Sequence, residues 1–319
     1  MGEFDLIQRY FQRPARTGQP AGVDVGIGDD CAVLVPTPGA RWLVSSDMLV
    51  EGRHFLSTVP PERLGHKTLA VNLSDLAACG ATPRGFTLAL ALPRIDEAWL
   101  AGFSRGLLAL ADESACPLVG GDTTQGPLNL CITVFGETPP GQALLRRGAR
   151  VGDEIFVSGQ LGDARLALEV FRGRVLLDGA GFESVRRAME CPVPRLALGQ
   201  ALRGVASAAI DVSDGLLGDL GHLLTASGVG ACIDWEALPR SEVLSAQPVE
   251  VQRDCLLAGG DDYELIFTVP PGANWAGMGA LGVPLTRIGV IEAAPGLRVV
   301  DARGATVEHG LQSFDHFAA

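Results

Sequence analysis

The sequence predicts a two-domain protein of the α/β or α+β class, and three observations support this prediction. The chain has 319 residues, a length that suggests about two domains of ordinary size. Each half contains apolar residues at both strand-like and helix-like spacing. A stretch rich in proline and glycine, residues 138–152, lies between the halves. We therefore expect an N-terminal domain at residues 1–140 and a C-terminal domain at residues 150–319.

The N-terminal half alternates predicted helices with predicted strands. Apolar residues at helical spacing predict helices over residues 3–12, 66–79 and 95–113. Short apolar runs bounded by glycine or proline predict strands over residues 31–35, 41–46, 86–92, 117–119 and 128–137. We expect Asp47 and Asp122 to follow the ends of two of these strands. In the helix over 66–79, Asn72 and Asp75 lie away from the leucines, which predicts a partly buried polar edge.

The C-terminal half begins the same alternation again. Strands are predicted over residues 154–158, 208–212 and 263–269, and helices over residues 163–171, 195–202 and 215–226. The last residues are expected to form short strands, followed by an aromatic group that contains Phe314 and Phe317. Both halves therefore mix helices and strands, as the fold class requires.

The composition excludes several classes of protein. A hydrophobic content of 47% with 19% charged residues is typical of a globular protein rather than a disordered one. The net charge of −12 argues against a nucleic-acid partner, which requires a basic surface. The seven cysteines include no C-x-x-C pair, which favours reduced thiols and a cytoplasmic location. No apolar run is long enough to cross a bilayer and the first residues lack signal-peptide features, so no membrane association is expected.

Short acidic segments that follow glycine or serine recur along the chain. The first is Gly-Ile-Gly-Asp-Asp-Cys-Ala at residues 26–32, and the others lie at residues 45–47, 73–75, 120–122, 211–215 and 259–262. Each has the pattern of a strand end or tight turn that presents an aspartate. Because Mg²⁺ is usually held by a few carboxylates together with substrate phosphates, the set suggests a nucleotide site with several Mg²⁺ ions. The alternative is that aspartate and glycine merely mark turns.

Several familiar catalytic signatures are missing from the sequence. It has no Walker A motif, no protein-kinase motifs and no Gly-x-Ser-x-Gly elbow. The five histidines lack the spacing of a zinc hydrolase. The glycine turn at residues 159–162 precedes a predicted helix, and a phosphate on that helix N-terminus remains an option. The remaining carboxylates, glycines and arginines suit phosphoryl transfer, in which the protein positions groups and offsets charge.

Six motifs together resemble those of the thiamine-monophosphate kinase family, in order and over nearly the whole chain. They are the segments at residues 26–32, 46–55, 72–83, 120–124, 211–216 and 260–265. The family belongs to the superfamily of aminoimidazole-ribonucleotide synthetase and selenophosphate synthetase. The resemblance implies an N-terminal domain that binds ATP and Mg²⁺ and forms a homodimer through its sheet. It also implies a C-terminal α/β domain that completes the active site.

The resemblance also implies roles for individual residues. The implied Mg²⁺ ligands, several of them catalytic, are Asp30, Ser45, Ser46, Asp47, Asp75, Asp122, Asp211 and Asp214. The residues expected to contact ATP are Gly121, Asp122, Arg146 and Ser213. Those expected to hold thiamine monophosphate are His54, Asp261, and Phe314 or Phe317. An aromatic face and a carboxylate suit a cationic thiazolium ring, and an arginine fork suits phosphate.

Two positions depart from the family pattern, and other interpretations stay open. The family usually has Glu at the position of Asp261 and often has Thr at that of Ser46. Without the resemblance, His54 could be a structural surface histidine and Arg146 a solvated linker charge. The expected activity is direct transfer of the γ-phosphoryl group of ATP to thiamine monophosphate. The alternatives are an ATP-dependent ring-closing synthetase and a sensor that binds Mg·ATP without turnover.

Overall fold

A computed structural model of the chain describes residues 2–12, 22–273, 278–307 and 310–311. These residues form two compact units. The N-terminal unit runs to Gly141, and the C-terminal unit begins at Gln142 and also includes Ala77–Gly80. In the part of the chain that is described, no helix is both long and apolar enough to span a bilayer.

The N-terminal unit is built around a four-stranded sheet. The unit begins with helix α1 (Glu3–Tyr10) and a small ribbon of strands β1 (Val23–Val25) and β2 (Val33–Leu34). The main sheet contains β3 (Arg41–Val50), β4 (Thr82–Leu92), β5 (Leu118–Gln125) and β6 (Asn129–Thr138). Its strand order is β3–β6–β4–β5, so that β3 and β5 form opposite edges. Two helices complete the unit, α2 (Pro61–Ala78) and α3 (Glu97–Glu113).

The two faces of this sheet differ because successive side chains of a strand point to opposite sides. On one side, α2 packs against the sheet, and Leu76 of α2 lies beside Gly136 of β6. On the other side, β3 presents three exposed apolar side chains, Trp42, Val44 and Met48. We call this second side the open face. An exposed row of large apolar side chains on a sheet is unusual for a surface that faces only water.

The C-terminal unit contains a six-stranded sheet of order β12–β9–β11–β7–β10–β8. In chain order the strands are β7 (Glu154–Ser158), β8 (Ala208–Asp211), β9 (Gly230–Asp234), β10 (Leu265–Val269), β11 (Leu285–Glu292) and β12 (Gly296–Val300). The pairs are antiparallel except that β12 runs parallel to β9. The helices are α4 (Asp163–Phe171), α5 (Gly179–Glu190), α6 (Leu196–Ala201), α7 (Leu216–Ser227), α8 (Glu242–Ser245) and α9 (Val249–Ala258).

Both faces of the six-stranded sheet are covered, as the strand β10 shows. Ile266 belongs to the core formed with α4, α7 and α9. Its neighbours Leu265 and Phe267 belong to a second core, on the opposite face, that includes Leu198 of α6. Every residue of β10 is buried, which explains why four of its five residues are apolar. The mixed helix and sheet class predicted from the sequence is therefore confirmed.

Several element boundaries differ from the predicted ones. Strand β3 extends to Val50 and β5 extends to Gln125, so that Asp47 and Asp122 lie within strands and not after their ends. The strand was predicted to end before the glycine pair that precedes Asp122, because glycines within a strand resemble a strand end. Helices α5, α8 and α9 and strand β9 were not predicted. The predicted helix over residues 163–171 is found with the same bounds.

Two neighbouring glycines of β5 provide a test of the β4–β5 pairing. Gly121 has a φ of 150°, and a Cβ on it would overlap the carbonyl group of Leu88 in β4. A Cβ on Gly120 would meet only the Cγ2 atom of Thr87, at 3.9 Å. We expect Gly121→Ala to lower the free energy of unfolding by about 2–4 kcal/mol, since strain and overpacking both act.

The matched control is Gly120→Ala, which we expect to be neutral or stabilising by about 0.5 kcal/mol because alanine loses less backbone entropy on folding than glycine. Urea unfolding followed by circular dichroism measures both variants. Equal stabilities for the two variants would contradict this account of the strand pairing.

Candidate active site

A cavity of about 1000 Å³ lies in the N-terminal unit, within the size range of small-molecule sites. Three segments form most of its lining, and Leu34, Thr87, Leu88 and Phe135 complete it. Helix α1 contributes an apolar and amide surface that includes Ile7, Gln8 and Phe11. The glycine-led segment at residues 27–32 forms a second wall, and residues 118–123 of β5 form a third. Both of the last two segments contain acidic motifs that were predicted from the sequence to belong to the site.

The acidic groups at this cavity are open to solvent. Asp29 and Asp30 are exposed, and the backbone N–H of Asp30 donates to Oδ1 of Asp29 at 2.8 Å. Asp122 is also exposed and lies opposite Ala89 in the β4–β5 pairing. Gly121 presents backbone without a side chain beside it. The structure therefore brings Asp30, Gly121 and Asp122 to the same cavity.

A second polar group lies where α2 packs on β3. The hydroxyl of Ser45 donates to Oδ2 of Asp75. The buried Asn72 accepts the backbone N–H of Asp47 at 3.1 Å and donates to the carbonyl of Thr68 at 3.1 Å. Asp75 is half-buried, so the predicted polar edge of the helix is confirmed. The helix thus fixes the backbone at Asp47 and brings Ser45 and Asp75 into contact.

Ser46 lies on the other side of the sheet from Ser45. Its Oγ donates to the carbonyl of Ile132 at 3.0 Å and lies 3.0 Å from Oγ1 of Thr133 in β6. The alternation of side chains along β3 makes this separation unavoidable. Any ion that Ser46 contacts through its hydroxyl is therefore not the ion nearest to Ser45.

The two acidic groups lie at opposite edges of the sheet. Asp47 pairs with Ile132, Ile132 with Leu88, and Leu88 with Gly121, so that one row of residues joins the two edges. Three strand spacings separate the ends of that row by about 14 Å. From the sequence, one site that gathers the aspartates is expected. Within one copy of the unit, the structure instead forms two groups.

The donors in both groups suit Mg²⁺, which prefers carboxylate and hydroxyl oxygens. Among the residues that the structure describes, no three Asp, Glu, His or Cys side chains lie close enough together to hold a metal by themselves. Mg²⁺ is typically bound through one or two carboxylates, with substrate phosphates and water as the other ligands. The residues present therefore fit a metal site that a nucleotide completes.

His54 follows β3 in a turn and is half-buried. Its Nδ1 accepts the backbone N–H of Val50 at 3.0 Å. This hydrogen bond requires an unprotonated Nδ1, so the neutral ring carries its proton on Nε2. The ring thus presents a fixed donor.

In the C-terminal unit, three predicted residues surround the turn after β8. Asp211 is the buried last residue of the strand, and Ser213 and Asp214 follow it. Oδ2 of Asp219, in the first turns of α7, accepts the backbone N–H groups of residues 213, 214 and 215, each at 3.0 Å. Burial raises the pKa of Asp219 to about 7. Asp219 is absent from the residues predicted from the sequence, although an acid shortly after a glycine at a helix start is a recognisable signal.

The segment that contains Asp261 packs against the same turn. The N–H of Asp261 donates to the carbonyl of Ser213 at 2.9 Å, and that of Tyr263 donates to the carbonyl of Val212 at 2.8 Å. Asp261 and Tyr263 have positive φ values of 68° and 52°, which residues with side chains seldom adopt. The Tyr263 hydroxyl donates to Oδ1 of Asp261 at 3.1 Å. These contacts fix the carboxylate of Asp261.

The N–H group of Gly162, in the glycine turn at residues 159–162, already has a side-chain acceptor. Both carboxylate oxygens of Asp262 accept the N–H of Gly162, at 3.0 and 2.9 Å, and desolvation raises the pKa of Asp262 well above its ordinary value. Gly159 lies against Glu264, which also binds Ser158 and Arg195. The phosphate considered for this turn is therefore not supported, because the chain's own carboxylate occupies the N–H group.

The remaining predicted residues are Arg146, Phe314 and Phe317. Arg146 is exposed, and its backbone carbonyl accepts the hydroxyl of Ser227 at 3.1 Å. The same hydroxyl accepts the N–H groups of residues 148 and 149, which holds this loop in place. Phe314 and Phe317 lie outside the described residues.

Comparison with known proteins identifies the family of the chain. Residues 28–138 match the family model of the AIR synthase related protein, N-terminal domain, and residues 150–302 match that of the C-terminal domain. A thiamine-monophosphate kinase from Salmonella typhimurium is 46% identical over 99% of this chain and 98% of its own length.

Solved structures give the same result. A thiamine-monophosphate kinase from Stenotrophomonas maltophilia K279a superimposes with a TM-score of 0.83 and 45% identity, over 88% of this chain and 91% of that one. A structure described as AaThiL complexed with AMPPCP and TMP has a TM-score of 0.78 and 31% identity, over 89% of each chain. The chain belongs to the thiamine-monophosphate kinase family of AIR synthase related proteins.

Proposed function

We propose that the protein phosphorylates thiamine monophosphate with ATP and produces thiamine diphosphate and ADP. The relative solved with AMPPCP and TMP carries this proposal, because it is 31% identical over 89% of this chain. AMPPCP is an analogue of ATP. We take TMP as thiamine monophosphate, since a similar structure is named thiamine monophosphate kinase. One protein that holds a nucleotide and a phosphate ester together has the two reactants of a phosphoryl transfer.

The chemistry follows from the two reactants. The acceptor is already an anionic phosphate, so direct in-line transfer of the γ-phosphoryl group requires no strong general base. The main barrier is the repulsion between two phosphates in an acidic protein, and bound Mg²⁺ ions would offset it. The chain's own residues position the reactants and hold the oxygens that a metal needs.

In the N-terminal unit, we assign the cavity to the nucleotide. Gly121 allows phosphate to approach the backbone of β5, because it has no side chain there. Asp30 and Asp122 present exposed carboxylates at the same cavity for Mg²⁺. On the α2 side, Asp47 and Asp75, with the hydroxyl of Ser45, form a second set of Mg²⁺ ligands. Ser46 contributes from the open face of the sheet.

The other roles combine the resemblance with the local geometry. In the C-terminal unit, Asp211 and Asp214 hold Mg²⁺, and Ser213 and Arg146 contact ATP. His54 donates from Nε2 to the phosphate of thiamine monophosphate. Asp261 pairs with the thiazolium cation, and Phe314 or Phe317 stacks on it. The Tyr263 hydrogen bond supports Asp261 in this role.

We further propose that the protein works as a homodimer joined through the open face of the N-terminal sheet. The exposed apolar row on β3 needs a cover, and the open face of a second copy supplies one. A two-fold axis along the strands places β3 of one copy over β5 of the other, with the sheets about 10 Å apart. This arrangement places Asp122 of one copy over β3 of the other, and Asp75 lies beyond that strand, on the side where α2 packs.

The first test is product formation. Purified protein with Mg²⁺, ATP and thiamine monophosphate is expected to release thiamine diphosphate and ADP in equal amounts, as followed by chromatography. ADP is not expected in the control without acceptor. Folded, ATP-binding protein that forms no thiamine diphosphate would disprove the assigned acceptor.

Removal of a metal ligand provides the second test. We expect Asp75→Asn and Asp47→Asn to lower kcat by about a hundredfold to a thousandfold, because a carboxylate near the transferred group is lost. An asparagine at 75 can still accept the Ser45 hydroxyl, so the melting temperature should change little. The control is Glu113→Gln, which removes an exposed carboxylate at the end of α3. Turnover like that of the unmodified enzyme in both aspartate variants would refute their metal roles.

Subunit mixing tests the homodimer. Asp75→Asn and Asp122→Asn should each be inactive alone, since either change damages every site. If each site uses Asp75 from one copy and Asp122 from the other, mixed dimers regain one intact site. An equal mixture of the two variants should then recover roughly a quarter of full activity, because half of the dimers are mixed. No recovery, with subunit exchange shown by mass spectrometry, would place both residues of a site in one copy.

A further inference from the structure

We propose that Asp219 is a positioning residue that shapes the turn at residues 212–215 before any nucleotide binds. The inference rests on the proposed function, because this turn contains Ser213 and Asp214. Asp219 is not itself assigned a contact with ATP or metal. Its side chain is buried, with 3% exposure, and it belongs to α7.

The hydrogen bonds at Asp219 are concentrated on one atom. Three successive backbone N–H groups donate to Oδ2, each at 3.0 Å. Consecutive N–H groups that point to one spot form a concave site that usually receives an external anion. Here the chain supplies that anion from a neighbouring helix. The turn therefore has its shape without a ligand.

The opposite side of the turn is fixed as well. The carbonyls of Val212 and Ser213 accept the N–H groups of Tyr263 and Asp261. A Cβ on Gly260 would overlap the carbonyl of Ser213, so the two segments lie in backbone contact. With N–H groups held by Asp219 and carbonyls held by residues 261 and 263, the turn has little freedom. Loss of Asp219 would release one of these two sides and leave three donors without their acceptor.

A plain helix cap makes a different prediction from a positioning residue. A cap affects only the stability of α7. A positioning residue also sets where Ser213 and Asp214 lie, so its loss weakens nucleotide binding even when the protein remains folded. Groups behind a set of ligands typically change affinity or activity by about tenfold to a hundredfold when mutated.

The experiment compares Asp219→Ala and Asp219→Asn with a matched control. Asp153 is also a buried aspartate of the C-terminal unit, and its Oδ2 accepts the N–H of Arg150 at 2.9 Å and the hydroxyl of Ser207 at 2.5 Å. Asp153→Ala therefore removes a comparable buried acceptor from a different loop. For each protein we would measure the melting temperature, the Kd for Mg·ADP by calorimetry, and kcat and KM for both substrates.

We expect Asp219→Ala to raise the Kd for Mg·ADP and the KM for ATP by about tenfold to a hundredfold, at temperatures where it is folded. Asp153→Ala should lower the melting temperature without changing the Kd. Asp219→Asn should show a smaller rise in Kd than the alanine variant, because its amide oxygen can still accept N–H groups. An unchanged Kd in folded Asp219→Ala would overturn the proposal, as would equal rises in Asp153→Ala.

If Asp219→Ala does not fold, the test uses Asp219→Asn, for which amide hydrogen exchange and the Kd for Mg·ADP are measured. The amides of residues 213–215 should exchange faster than in the unmodified protein, and the Kd for Mg·ADP should rise with them. Faster exchange with an unchanged Kd would show a structural cap only and overturn the proposal. Failure of the proposed function looks different, because the unmodified protein would then form no thiamine diphosphate, whatever residue stands at 219.

Discussion

The fixed spacing of the four-stranded sheet constrains everything else in the N-terminal unit. One row of paired residues runs from Asp47 on β3 to Gly121 on β5, and its length cannot change without breaking the sheet. Alternation along β3 adds a second constraint, since Ser45 and Ser46 must face opposite sides. The carboxylates of this unit therefore cannot act as one preformed cage within a single sheet. The structure instead holds them as two separate groups, one beside α2 and one at the cavity.

The buried carboxylates of the C-terminal unit differ from these, because they form hydrogen bonds with groups of the chain itself. Asp262 accepts an N–H group with both oxygens, and Glu264 receives Arg195 and Ser158. Burial of a carboxyl group without partners costs free energy, so each of these groups accepts hydrogen bonds from N–H, hydroxyl or guanidinium donors. Their effect is to fix loops. The loops they fix include the segment with Asp261, whose backbone adopts a positive φ.

Much of the fold and some of the site are predictable from the sequence. Periodicity located the helix over residues 163–171 because its apolar spacing is regular and a glycine precedes it. It missed β9, a strand of five residues that begins at a glycine, and it ended β5 too early at another glycine pair. Local patterns select the acidic segments as candidates. They cannot reveal which edge of a sheet each segment reaches, because strand order depends on contacts between distant residues.

Because local patterns do not show contacts between distant residues, Asp214 was predicted from the sequence as a site residue and Asp219 was not. In the sequence both are acids near a glycine at the start of a helix, and nothing local separates them. In the structure Asp219 is buried with three N–H donors, whereas Asp214 lies at the turn those donors form. Aspartates that are buried among backbone donors shape loops, and aspartates that remain open to solvent, such as Asp29, Asp30 and Asp122, retain the oxygens that a cation can use. An acidic protein that binds a polyanion needs both buried and exposed aspartates. The buried ones fix the loops, and those loops carry the exposed ones that can bind a cation.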